Sequence, residues 1–94
     1  MAELRAGAAF AEEAIARAND TDLGLGASLW TSNLDSALNL TPRMEAGTVW
    51  VNNYRSTSTT SPFGGFKMSG QGRENGESPI DHYTELKTVT IKLG

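Results

Sequence analysis

The chain has 94 residues, 38% of them hydrophobic, and a formal net charge of -3 at pH 7, so it is long enough for one small domain at most. It shows no basic stripe for nucleic acid, and no apolar run approaches the roughly 20 residues that span a bilayer. It also contains no cysteine, which excludes disulfides, thiolate zinc sites and a cysteine nucleophile among these residues. We therefore expect a cytoplasmic protein without nucleic-acid or membrane partners.

The first predicted element is a helix over residues 2–19, AELRAGAAFAEEAIARAN. Alanine and glutamate favour helices, and apolar residues recur there at three- and four-residue steps. The residues in this stripe are Leu4, Ala8, Ala11, Ile15 and Ala18. Gly7 weakens the first part, so the prediction depends mainly on the residues from Ala11 onward.

Two short apolar segments predict buried strands, ASLWT at residues 27–31 and TVWVN at residues 48–52. The second segment is apolar on both faces, so we expect it to be the central strand of a sheet. We also expect Trp30 and Trp50 to lie in the core. The order helix, strand, helix, strand predicts an α/β fold whose two strands pair in parallel.

A right-handed crossover over residues 32–46 joins these two strands. Ser32 or Asn33 can cap its helix by accepting a hydrogen bond from a free backbone N–H. Pro42 either kinks the helix or starts a new turn, and Gly47 suits a left-handed cap at the end. The residues expected on the inner face are Leu34, Ala37, Leu38 and Thr41.

A long glycine-rich loop is predicted from Tyr54 to Pro79, and its stretch SPFGGFKMSGQGRENG shows no helix or strand period. Loops of this length in a compact domain are functional or disordered. Residues 78–85 predict a short helix with Ser78 as its cap and Pro79 in its first position. The remaining residues, 86–93, alternate strictly and predict a half-buried strand. Its apolar face contains Val89, Ile91 and Leu93.

Several motifs identify a family. PFGGFKMSGQGRENG, preceded by EAGTVWVNNY and followed by HYTELKTVTIKL, resembles the C-terminal end of the aldehyde dehydrogenases. EEAIARANDTDLGLGASLWT is similar to the segment just upstream, so the resemblance runs from Glu12 to Leu93. It implies that residues 1–85 are the C-terminal part of a catalytic α/β domain, including the glycine-rich loop at residues 54–79. It further implies that residues 86–94 form an oligomerisation strand.

The activity implied by the resemblance is oxidation of an aldehyde to a carboxylic acid with NAD or NADP, in a parent several times longer. The family's nucleophilic cysteine, general-base glutamate and cofactor-binding residues lie upstream of the matching part. The resemblance therefore assigns this chain no catalytic, cofactor-binding or metal-binding side chain. We expect the isolated chain to be inactive and to bind no NAD.

The resemblance also implies roles for residues of the loop. Phe63 would line the aldehyde pocket, with Asn53 close to it. Thr57 stands where family members often have an aromatic pocket residue, which implies a roomier or more polar pocket. Main-chain carbonyls near Lys67 and Gly70 correspond to a monovalent cation site between subunits in some members.

Several features have simpler interpretations. Gly70, Gly72 and Gly76 have the wrong spacing for a dinucleotide fingerprint, which also needs a strand before it and a helix after it. His82, the one histidine, suits a surface or helix-end role better than a metal site. Arg73 and Glu74 predict an ion pair that anchors the loop.

Three functional hypotheses follow for the chain. It is an inactive piece of an aldehyde dehydrogenase, or one part of a split active dehydrogenase completed by another polypeptide. Alternatively, it is a self-standing assembly module that associates through residues 86–93. Its partners are accordingly the rest of a dehydrogenase subunit or a second copy of this chain, and the aldehyde is a substrate of the parent.

Overall fold

The computed structural model of the chain describes residues 2–5, as backbone only, and residues 10–94. It is an α/β fold of short elements. In chain order they are β1 (Ala2–Arg5), α1 (Ala11–Asn19), β2 (Leu23–Gly24), β3 (Gly26–Trp30), α2 (Leu34–Leu40), a 3-10 turn (Thr41–Arg43), β4 (Thr48–Val51), β5 (Phe66–Lys67) and α3 (Ile80–Tyr83).

Three of the strands form a parallel sheet in the order β1, β3, β4. The pairing of β3 with β4 runs from Gly26 opposite Thr48 to Leu29 opposite Val51, which confirms the predicted parallel pair. The expectation that residues 48–52 are central is wrong, because β3 is the middle strand and β4 is at the edge. Strand β4 is apolar on both faces because Val49 packs on the core while Trp50 lies on the opposite face.

The predicted helix over residues 2–19 is only partly correct. Helix α1 starts at Ala11, whereas Ala2–Arg5 form a strand that pairs in parallel with β3. Helix propensity differs by only a fraction of a kcal/mol per residue, and pairing with an existing strand outweighs it. Of the predicted stripe, Ala8 lies outside the described residues.

The core lies on one face of the sheet, where α1 and α2 both contribute to a single apolar cluster. Leu29 at the centre of β3 is 0% exposed. The buried members of the cluster are Ile15, Ala27, Leu29, Ala37, Leu40, Met44 and Ala46. On α2, Ala37 and Leu40 are buried, but Leu34 and Leu38 are exposed, so the predicted inner face is correct at Ala37 and wrong at the two leucines.

The crossover forms as predicted at its start and differs at its end. Asn33 caps α2, since its Oδ1 accepts the Ser36 N–H at 2.9 Å. Pro42 does not kink α2 but lies in the first turn of the 3-10 segment that follows. Gly47 is not in a left-handed conformation, so the predicted cap is wrong. Its small size is required instead, because a Cβ there would lie 1.6 Å from the carbonyl oxygen of Gly64.

On the opposite face of the sheet, the start of the glycine-rich loop contacts Trp50. Trp50 is half-buried there, its ring 6.0 Å from that of Tyr54 in an edge-to-face arrangement, and its Nε1 donates to the Ser56 carbonyl oxygen at 2.6 Å. Trp30 remains 38% exposed, so its predicted place in the core is wrong. The last residue of a strand leaves the covered part of the sheet, and size alone does not bury it.

Helix α3 is shorter than predicted, and its cap differs. It spans Ile80–Tyr83, follows Pro79, and receives no side-chain cap from Ser78. Residues 84–94 form no strand within the described chain. Pairing of residues 86–93 with another chain therefore stays a prediction. Within residues 2–5 and 10–94, no helix is long and apolar enough to cross a membrane.

Candidate functional site

The candidate site begins where the parallel strands end and the loop starts. Asn52 closes the sheet there, because its Oδ1 accepts the Thr31 N–H at 2.9 Å and its Nδ2 donates to the Thr31 carbonyl at 2.7 Å. Its own N–H donates to the carbonyl of Leu29 at 2.8 Å. Asn52 has a φ of 54°, which asparagine tolerates better than most residues. It therefore continues the pairing of β3 and β4 and turns the chain into the loop.

Asn53 follows at the carboxyl end of β4. Its carbonyl accepts the hydroxyl of Ser28 at 3.1 Å, and its side-chain oxygen accepts the Tyr54 N–H at 2.7 Å. Ser28 is buried in the middle strand, so this bond ties the loop entrance to the centre of the sheet. Ligands of open α/β sheets bind outside the carboxyl ends of the strands, and Asn53 lies at that edge.

The loop folds back on itself as two antiparallel segments, residues 59–63 going out and residues 74–76 returning. Phe63 and Glu74 exchange two backbone hydrogen bonds of 2.7 Å each, and the Gly76 N–H donates to Thr59 at 2.9 Å. Just beyond these segments, at Gly64, two parts of the loop backbone approach too closely to leave room for a side chain. A Cβ on Gly64 would lie 2.2 Å from the carbonyl oxygen of Gly72.

Arg73 holds the loop together from within. Its Nη1 donates to the carbonyl of Gly65 at 2.9 Å and to that of Gly72 at 2.8 Å. Its guanidinium carbon lies 5.5 Å from the ring centre of Phe66, within the range of a cation–π contact. The predicted ion pair with Glu74 is wrong as the anchor, because backbone carbonyls take the guanidinium donors.

His82 is exposed and lies beside the glycine-rich loop. His82 lies in the last turn of α3, where its Nε2 accepts the Arg73 N–H at 3.3 Å. Within the described residues, three potential metal ligands do not gather anywhere. Around Gly70 and Gly72, the preceding strand β5 has two residues and is antiparallel to β2. This geometry does not fit a dinucleotide turn, which needs a parallel strand leading directly into a helix.

Lys67 lies at the crossing between the loop and the end of α1. Its Nζ donates to the carbonyls of Asn19 at 2.8 Å and Thr21 at 3.0 Å and forms an ion pair with Glu45. The Gly70 N–H lies 3.4 Å from the Lys67 carbonyl oxygen, and Gly70 has a φ of 117°. The monovalent cation site expected at the main-chain carbonyls near Lys67 and Gly70 stays a prediction.

The residues predicted for the aldehyde pocket lie along one path from the end of β4 into the loop. Asn53 and Thr57 are exposed, and Phe63 is half-buried. Asn52 and the side-chain role of Lys67 were not predicted from the sequence. For Asn52 a signal existed, since an asparagine directly after a strand suits the positive φ of a turn. For Lys67 there was none, because its partners are 46 and 48 residues away in the chain.

A parallel sheet with helices in its crossovers, whose carboxyl edge continues into a long loop, defines the chain as part of an α/β domain, a class in which ligands commonly bind at that edge. Residues 8–89 match the description "Aldehyde dehydrogenase family". The chain belongs to the aldehyde dehydrogenase family, as its motifs predicted.

Relatives and solved structures agree. Retinaldehyde dehydrogenase 3 from Homo sapiens is 60% identical over 83 residues, which are 88% of this chain and 16% of that protein. Retinal dehydrogenase 2 from Gallus gallus is 54% identical over 87% of this chain and 16% of its own length. An indole-3-acetaldehyde dehydrogenase complexed with NAD+ is 53% identical over 88% of this chain and 17% of its own, with a TM-score of 0.82. The NAD+ complex of aldehyde dehydrogenase from Bacillus cereus is 43% identical over 88% of this chain and 17% of its own, with a TM-score of 0.83.

This chain therefore spans about one sixth of the length of the relatives it matches.

Proposed function

We propose that these residues form the part of an aldehyde dehydrogenase subunit that closes the aldehyde site. The reaction is oxidation of an aldehyde to a carboxylic acid, with NAD+ or NADP+ as the hydride acceptor. The observation that carries the proposal is the match of residues 8–89 to the family, together with the loop at the carboxyl edge of the sheet. We further propose that the protein acts in the cytoplasm.

The chemistry itself is assigned to other parts of the enzyme. A thiolate nucleophile needs a cysteine, and this sequence has none. The described glycine turns do not fit a dinucleotide, so the cofactor site also belongs elsewhere. The isolated chain is accordingly proposed to be inactive. In the active enzyme, the rest of the subunit is either covalently attached to this chain or supplied as a second polypeptide.

The contribution of this chain to substrate binding is the wall formed by Phe63, Thr57 and Asn53. Phe63 is supported by the backbone bridge to Glu74, and Asn53 by its bond to Ser28. Both therefore occupy fixed positions without depending on their own side chains. Thr57 offers a hydroxyl where an aromatic ring would narrow the pocket, so we propose a roomier or more polar site.

We also propose that residues 86–93 assemble subunits by adding a strand to a neighbouring sheet. Their apolar side chains are exposed, and Leu86 and Leu93 most of all. They extend a molecule that measures 72 × 25 × 22 Å. An extended segment with alternating apolar residues gains ladder hydrogen bonds and burial when it pairs with another chain.

The proposed function is tested by grafting residues 8–89 into a complete dehydrogenase in place of the matching stretch. Retinaldehyde dehydrogenase 3, at 60% identity, is a suitable recipient. We expect the graft to reduce NAD+ in the presence of an aldehyde. We expect the isolated chain neither to reduce NAD+ nor to bind it. A graft that folds and binds NAD+ but never turns over would overturn the proposal, as would an active isolated chain. A monodisperse, inactive assembly of the isolated chain together with an inactive graft would favour the self-standing module.

A further inference from the structure

The ammonium group of Lys67 contacts three oxygen atoms. One is the carbonyl oxygen of Asn19, the last residue of α1, another is that of Thr21 two residues later, and the third belongs to the carboxylate of Glu45. The carboxyl end of a helix carries partial negative charge. The Lys67 side chain is 27% exposed, so these charge-assisted bonds are partly shielded from water.

The backbone of Lys67 is held in an unfavourable conformation at the same point. Its φ of 53° is uncommon for a residue with a side chain. Such conformations persist when the surroundings fix them, and they cluster at functional positions. Here the two residues that follow Lys67 are both hydrogen-bonded, since the Met68 N–H donates to the Asp22 carbonyl and the Ser69 hydroxyl accepts the Gly24 N–H, each at 2.9 Å.

A continuous series of contacts leads from Lys67 to the proposed aldehyde wall. The adjacent Phe66 ring lies under the guanidinium of Arg73. Arg73 in turn donates to the Gly65 carbonyl, and its neighbour Glu74 is bridged to Phe63. A displacement at Lys67 is therefore transmitted to Phe63 through packed and hydrogen-bonded groups.

We propose that Lys67 is a positioning residue, whose ammonium group holds the glycine-rich loop against the end of α1 and so fixes Phe63 at the aldehyde site. This inference rests on the proposed function, in which Phe63 lines that site. Lys67 touches no reacting atom. Its effect is on the geometry in which the aldehyde is bound.

The first test measures amide exchange in the full chain with Lys67→Met, a substitution that replaces the side chain by an unbranched one shorter by one atom and removes its charge. We expect the amides of Phe63 and Glu74 to exchange about tenfold faster, with little change at the sheet amide of Asn52. Arg17→Met, which removes an exposed cation from the surface of α1, is the matched control and leaves both regions unchanged. Equal acceleration in the loop and the sheet, or none in either, overturns the proposal.

The second test uses the grafted dehydrogenase and separates KM from kcat. With Lys67→Met we expect the KM for aldehyde to rise about tenfold and kcat to fall less than about twofold, because aldehyde binding is weakened while the chemical groups are untouched. Lys67→Arg, which keeps the charge, restores most of the KM, and Glu45→Gln gives a smaller rise. A fall in kcat with unchanged KM contradicts the proposal.

The two tests also separate this inference from the proposed function. An inactive wild-type graft would overturn the proposed function, whereas amide exchange in the chain would still decide whether Lys67 holds the loop. If Lys67→Met does not fold, Glu45→Gln provides the comparison with smaller disturbance, and Lys67→Arg, which keeps the charge, is its control. Loop exchange in the Glu45→Gln chain that equals that of the wild-type chain then overturns the proposal.

Discussion

The sheet with its two helices and the glycine-rich loop are stabilised in different ways. The sheet region contains the apolar cluster around Leu29, in which seven hydrophobic residues are buried. In residues 54–79, only Gly65 is buried. The loop instead relies on close backbone approach at Gly47 and Gly64 and on the donors of Lys67 and Arg73.

This difference determines how each region responds to change. Apolar burial is non-directional and summed over many contacts, so the sheet tolerates polar changes at its surface. A loop held by a few directional contacts loses its arrangement when any one of them is removed. Substitutions can therefore be chosen that unfold the sheet, displace the loop alone, or affect neither.

The largest effect is expected from Leu29→Ala in the middle strand. Removing a fully buried leucine side chain leaves a cavity and lowers the free energy of unfolding by about 3 kcal/mol. Leu34→Ala is the control, because Leu34 is exposed on α2 and its truncation should change stability little. Urea denaturation followed by circular dichroism measures both. Equal losses for the two variants would show that the cluster around Leu29 does not dominate the stability of the sheet.

A smaller effect, confined to the loop, is expected from Gly47→Ala. The new methyl group would overlap the Gly64 carbonyl oxygen, and relieving this overlap costs about 2 kcal/mol by moving the loop off the sheet. Gly72→Ala is the matched control, because its Cβ would be 3.6 Å from the His82 ring, an ordinary contact distance. The measurement is the exchange rate of the Phe63 amide. If the Gly72 variant exchanges faster than the Gly47 variant, close approach at Gly47 does not determine the loop position.

These particular residues show what the sequence could predict. The parallel pair of β3 and β4 followed from two short apolar segments, and a cap at Ser32 or Asn33 followed from the residue types, because both signals are local in the chain. Phe63 was proposed for the pocket from a family motif, and its pocket role is still a prediction. The structure adds only that its backbone is bridged to Glu74.

The errors have a common physical origin. Strand β1, the edge position of β4 and the contacts of Lys67 all depend on partners distant in sequence. Composition favours a helix for residues 2–19, and nothing local indicates that Ala2–Arg5 pair with β3. Gly47 was assigned to a helix end because glycine favours that position. The neighbour that requires a glycine there, Gly64, is in the loop.

A third prediction concerns the terminal segment, residues 84–94, which pairs as a strand neither with the sheet nor with the loop. If residues 86–93 add a strand to a second chain, Thr90→Pro removes one ladder donor and weakens self-association by about tenfold. Thr90→Ala keeps the N–H and is the matched control. Light scattering over a concentration series reports the change. A wild-type chain that stays monomeric, or a proline variant that associates as strongly as the alanine variant, excludes this interface.

The smallest effect is expected from Glu12→Gln on the surface of the sheet region. Arg43 donates to the two carboxylate oxygens of Glu12 at 2.9 and 2.6 Å. These hydrogen bonds, and then the charge of Arg43, hold the pKa of Glu12 below its usual 4.5. A lowered pKa in the folded state means that the ion pair stabilises the chain above pH 4.5 and that this contribution is lost as the pH falls through the lowered value.

The difference in thermal midpoint between the wild type and Glu12→Gln should therefore be small and constant near pH 7 and should shrink below pH 4.5. Both side chains are exposed, and surface pairs contribute little. Glu13→Gln, in the same turn of α1, removes the same charge without touching Arg43 and is the control. A difference that grows on acidification would reverse the expected sign. It would show that the contact between α1 and the 3-10 turn does not depend on ionised Glu12.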